Sequence, residues 1–160
     1  MHRFVRVFVL ILVVGTLLFL CLPRPGLTLV LREQQSKQTL ASVSVKAGDE
    51  VIFSWIHSIE LIPWIEHFLI QEDGTFLLQS LSVAGFGAGI PENKGVVSLQ
   101  DGMVVMDHIE EQFEEIRWIH SQTALVSITV AGTSFITGEE VAHHIPVELY
   151  CKGTGTIWPR

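Results

Sequence analysis

The stretch VIFSWIHSIELIPWIEHFLIQEDGTFLLQSLSVAG, residues 51–85, decides the fold class. Val51–His57 and Ile62–Ile70 are dense in β-branched and aromatic residues, and Phe76–Ala84 repeats the pattern. Glu72-Asp73-Gly74 and Gly85 stop two of these runs with residues that tolerate a tight reversal. β-Branched and aromatic side chains suit a pleated, half-buried surface, and no long segment keeps the 3.6-residue apolar period of a helix.

The same rhythm continues outward. Leu27–Leu31 and Ala41–Val45 come first, followed by the turn residues Ala47-Gly48-Asp49. Val96–Leu99 and Met103–Met106 flank Asp101-Gly102, a hairpin signal, and Leu125–Val130 and Ser134–Thr137 flank Ala131-Gly132. Val147–Cys151 closes the series before a Gly/Thr tail. The expected architecture is all-β, an antiparallel sandwich or barrel of about 8–10 short strands, preceded by one apolar N-terminal helix. Asp107–Ile116 dissents. It also reads as a helical turn or two, with Ile109, Phe113 and Ile116 on one face and Glu110, Glu111, Glu114 and Glu115 elsewhere.

The chain has 160 residues, 48% of them apolar and 17% charged, with a mean hydropathy of +0.43. The excess sits at one end, because residues 1–22 hold 17 apolar residues and the remainder has an ordinary globular share. This excludes a polytopic membrane protein and a disordered chain. Arg3 and Arg6 precede an uncharged run from Val7 to Leu22, roughly 24 Å long as a helix. No small-x-small cleavage signal follows, and Leu20 is not the small residue that a lipoprotein signal needs before Cys21. The expectation is a signal anchor over residues 1–24, touching the membrane through residues 7–22. Residues 25–160 then form an extracytoplasmic domain on a single-pass protein, although Arg24 weakly opposes that orientation.

Residues 23–160 carry 8 Lys and Arg against 17 Asp and Glu, so the exported part lacks the basic surface of a nucleic-acid binder. With Cys21 in the bilayer, Cys151 is a lone thiol and no disulfide framework is readable.

The densest chemistry lies in Ser54–Glu66. Period-2 alternation puts Phe53, Trp55 and His57 on one face of a strand, and Trp64, Glu66 and Phe68 on one face of the next. With six residues between His57 and Trp64, His57 lies opposite Trp64, and Glu66 comes within diagonal reach of it. With a four-residue loop the two move out of contact. One reading is a carboxylate-oriented imidazole between two indoles, serving as a ligand cage, a general base or half of a metal site. The other is a polar pair that sets strand register inside an aromatic cluster. Gly85-Phe86-Gly87-Ala88-Gly89 is the second candidate. Its bare backbone can bind anions or make a tight crossing, but it lacks both the P-loop and the dinucleotide pattern, and no cofactor is expected.

Trp-Ile-His-Ser occurs at Trp55–Ser58 and again at Trp118–Ser121, which a pseudo-repeat would turn into related places for His57 and His120. His143 and His144, read as adjacent strand residues, point to opposite sides and match no zinc spacing. Ser58 and Ser121 lack a nucleophile elbow, and Glu110–Glu115 reads as a solvated face.

Trp55-x-His57-Ser58-Ile59-Glu60-x-x-Pro63-Trp64-x-Glu66, followed by Gly85-x-Gly87-Ala88-Gly89-Ile90-Pro91, resembles the bacterial and archaeal family of domain of unknown function 1850. The resemblance covers roughly residues 40–151 and is most specific over 53–91; the acidic stretch 110–115 departs from it. It implies a small protein with an N-terminal apolar segment, encoded beside a tripartite ATP-independent periplasmic (TRAP) transporter of the TAXI type. It implies a partner system and not a reaction. The resulting expectation is a non-enzymatic, membrane-anchored accessory of solute uptake. It would bind a small ligand or a transporter component through His57, Ser58, Glu60, Trp64, Glu66, Gly87, Ala88 and Gly89. The rival expectations are a metal-dependent or His/Glu-based hydrolase using His57, Glu66 and His120, and a β-edge interaction module.

Overall fold

The computed structural model describes residues 26–85 and 94–153. The expected N-terminal helix, the 7–22 membrane segment and the Gly87-Ala88-Gly89 loop lie outside the described residues. Among the described residues the chain is all-β. Its strands are β1 (Leu27–Glu33), β2 (Thr39–Val45), β3 (Glu50–Ile56), β4 (Pro63–Ile70), β5 (Phe76–Val83), β6 (Val96–Gln100), β7 (Met103–Phe113), β8 (Glu115–Ile119), β9 (Leu125–Val130), β10 (Thr133–Thr137) and β11 (Pro146–Gly153). A 3-10 turn, Gly138–Glu140, interrupts the pattern, and no described helix is long and apolar enough to cross a membrane.

The strands form two antiparallel sheets, one of four strands in the order β2-β1-β11-β8 and one of seven in the order β10-β9-β3-β4-β5-β7-β6. Alternation gives each sheet one apolar face, and the two faces share a core. Leu29, Leu31, Val147 and Leu149 come from the smaller sheet and Val51, Phe53, Phe68, Phe76 and Ile128 from the larger. A second cluster of Leu81, Val83, Val104 and Met106 extends the apolar face of the larger sheet, with Ile62 and Trp64 packed against it. Two hairpins close as the turn residues require. Asp101-Gly102 has φ of +50° and +80°, and Ala131-Gly132 has +47° and +75°, the left-handed pair that matches strand twist.

The helical reading of 107–116 is corrected: this segment is strand. Pairing of β7 with β5 passes from Ser80↔Asp107 to Leu78↔Glu111, so β7 carries extra residues there, with His108 at φ +57° and Glu110 at φ +56°. This bulge resets the alternation. Ile109, Phe113 and Ile116 therefore all reach the core despite their helix-like spacing. After Glu114 the chain crosses to the other sheet as β8, and the described residues hold eleven strands, beyond the expected eight to ten.

On the outer face of the smaller sheet, Glu148 lies between its cross-strand neighbours Arg32 and Arg117 and is 1% exposed. Arg32 and Lys37 donate to Oε1, and Arg117 approaches Oε2 at 3.4 Å. Burial alone would raise this carboxyl, but hydrogen bonds from Lys37 and Arg32 and their charges outweigh it and hold it below the ordinary carboxylate range. Cys151 is half-buried, and desolvation pushes its thiol up to about 12, as expected of a packing cysteine.

Candidate functional site

The hairpin β3–β4 pairs Trp55 with Trp64 and Phe53 with Glu66. His57 and Ile62 close it: the His57 N–H donates to Ile62 O at 2.8 Å, and the Leu61 N–H donates to His57 O at 2.9 Å. Ser58–Leu61 form the four-residue loop, with Leu61 at φ +55°. Of the two registers open from sequence, this is the one that separates the imidazole from the carboxylate. Glu66 Oε2 instead accepts the indole Nε1–H of Trp55 at 3.0 Å. A His–Glu pair does exist on this hairpin, but it is His67 Nδ1 with Glu50 Oε1, 2.7 Å apart on the outer face.

An open cleft of about 330 Å³ is lined by Trp55, His57, Trp64 and Glu66 on the larger sheet and by Ile116, Arg117 and Trp118 on β8. Their positions are set from beneath. The Trp55 ring stacks on Phe53 with centroids 5.5 Å apart and planes at 9°. Trp118 stands at 88° to Trp55, 5.9 Å away, and its edge also meets Phe53 at 5.7 Å. The His57 ring lies over Trp64 at 5.7 Å and 18°. His57 Nδ1 accepts the backbone N–H of Glu60 at 3.1 Å, which in the neutral ring places the proton on Nε2.

Glu66 is the one carboxylate among the described residues that line the cleft. Desolvation raises it above the ordinary range, and the indoles of Trp64 and Trp55 pull only partly against this. Arg117 also lines the cleft, but its guanidinium is ion-paired. Strand alternation turns it away from Ile116 and Trp118, toward Glu115 Oε1 at 2.5 Å and Glu148 Oε2 at 3.4 Å.

Of the sequence candidates, the structure brings His57, Trp64 and Glu66 to one cleft. Ser58 and Glu60 sit exposed on the hairpin loop outside its walls, Glu60 serving through its backbone. Gly87, Ala88 and Gly89 lie outside the described residues. Trp118 was missed as a wall, although the Trp-Ile-His-Ser repeat pointed to it: the repeat brings the two tryptophans together and not the two histidines. His120 is fully buried, its Nε2 bonded to Gly138 O at 2.8 Å. His143 and His144 are corrected from opposed strand residues to turn residues with rings 3.7 Å apart, His144 taking φ +63°. No group of three or more His, Cys, Asp or Glu among the described residues is placed to hold a metal ion.

Glu66→Gln keeps an acceptor for the Trp55 indole and removes the desolvated charge. A carboxyl raised in the folded state stabilises fully below its unfolded value, about 4.3, and loses that contribution as pH rises through the folded value. Thermal melts at several pH values are therefore expected to show Glu66→Gln at least as stable as wild type at pH 7. The advantage should shrink toward pH 4.

The profile of the family described as Domain of unknown function (DUF1850) matches residues 51–135. No curated protein and no solved structure matches the chain. The matched stretch runs from β3 into β10, covers more than half of the chain and contains every described residue that lines the cleft. The chain belongs to this family of domain of unknown function 1850.

Proposed function

We propose that the protein is a non-enzymatic binding accessory of a TRAP-TAXI type solute transporter. In this reading residues 1–24 anchor it and residues 25–160 lie outside the cytoplasm. The observation that carries the binding role is the convergence of Trp55, Trp64, Trp118, His57 and Glu66 on one solvent-open cleft. Concave, mostly aromatic surfaces with a few fixed polar groups are the usual form of ligand sites. Arg3 and Arg6 ahead of the Val7–Leu22 run support the compartment, and the family resemblance supports the transporter.

The hydrolase alternative draws on His57, Glu66 and His120. Glu66 is engaged by an indole and His120 by a buried carbonyl, so binding is the better supported use of these residues.

Deleting the gene is expected to lower uptake by the neighbouring transporter under substrate limitation. The wild-type chain should restore it, and a folded Trp118→Leu variant should not. Unchanged uptake after deletion would overturn the proposal.

A further inference from the structure

We infer that the cleft takes a small organic cation, an amine or quaternary ammonium group on a compact ligand. This rests on the binding reading above and names the ligand class for the same site.

An indole face carries negative quadrupole density and is the best aromatic partner for an ammonium within about 6 Å of its centroid. Trp55 and Trp118 meet at 88°, so two indole planes form a corner, and Trp64 adds a third indole on the facing strand. Trp55 is held flat against Phe53, and Trp64 against His57, so these rings are fixed before any ligand arrives.

Glu66 is half-buried, and its polar partners are the neutral indoles of Trp55 and Trp64. No ion pair to Glu66 occurs among the described residues. Glu148 of the same chain shows the contrast, since three cationic side chains surround it. Desolvating a carboxylate is unfavourable unless a counter-charge is supplied, and a bound cation supplies it. An anion would be repelled and a neutral ligand would leave the charge unmatched. Arg117 also lines the cleft, but its guanidinium pairs with Glu115 and Glu148 and not with Glu66. The volume, about 330 Å³, is at the small end of ligand sites and limits the ligand to a compact molecule.

The test titrates the full chain with choline, with its uncharged carbon isostere 3,3-dimethylbutan-1-ol and with the anion isovalerate, following tryptophan emission. Choline is expected to shift the emission saturably and to bind at least about tenfold tighter than the isostere. Glu66→Gln should weaken choline about tenfold and leave the isostere unaffected. The cation proposal is overturned, with the binding reading intact, if the isostere or isovalerate binds as tightly as choline, or if Glu66→Gln leaves choline affinity unchanged. If none of the three perturbs the emission, the cation proposal fails, and the uptake experiment decides the binding reading separately.

Discussion

Gly138→Ala is expected to destabilise the domain by about 3–5 kcal/mol, enough to leave a small fold largely unfolded at modest urea. A Cβ on Gly138 would stand 1.9 Å from Leu125 O and 3.0 Å from Leu125 C. These are backbone atoms at the buried start of β9, and Leu125 is the register partner of Trp55. Neither side of the contact can swing away as a flexible side chain would. Moving the Gly138 peptide also strains its carbonyl bond to the buried His120 ring. Gly153→Ala is the matched control, because a Cβ there meets nothing within 4 Å. Urea denaturation should show a large fall in midpoint for Gly138→Ala and almost none for Gly153→Ala. Equal midpoints would show that β9 and the 3-10 turn are not packed as described.

Phe53→Ala is the second large effect, expected at about 3–5 kcal/mol as for other fully buried aromatics. Phe53 is wholly buried and joins both halves of the site. It stacks under Trp55, meets Trp118 edge-on, and contacts Phe68 at 5.6 Å and 72°. Removing the ring opens a void under the cleft floor and frees Trp55 and Trp118 to tilt into it. Loss of ligand affinity should therefore accompany loss of stability. Phe53→Leu keeps part of the volume and should fall between the two, with the larger share of its deficit in affinity. Calorimetric melts with ligand titrations of the same samples separate the two effects. Full affinity in a stable Phe53→Ala would contradict the supporting role.

Much of this was legible in the sequence because strand alternation is local. The order of ten strands, from Leu27–Leu31 to Val147–Cys151, follows from residue type and turn punctuation alone. So does the shared face of Trp55 and His57, and of Trp64 and Glu66. The hairpin length was not legible. Leu61 takes φ +55° without being Gly or Asn, so the loop carries no residue that announces its turn. That one choice of register decides whether Glu66 meets an imidazole or an indole. The stretch after Met106 was misread for a related reason. His108 and Glu110 take left-handed backbone with no glycine, and the bulge they form gives a strand helix-like apolar spacing. β8 was hidden with it, and so was Trp118, which reaches the cleft only through pairing of β8 with the distant β11.

In the proposed reading Trp55, Trp64, Trp118 and Glu66 act as one ligand cleft. Its most direct test is a choline titration of the 15N-labelled chain, with the indole Nε1–H resonances assigned by single Trp→Phe variants. The Trp55, Trp64 and Trp118 resonances are expected to move together along one saturable isotherm. Trp55 should move most, because its N–H is bonded to Glu66. Three stationary indoles, with ligand-dependent shifts confined to resonances elsewhere in the chain, would contradict it.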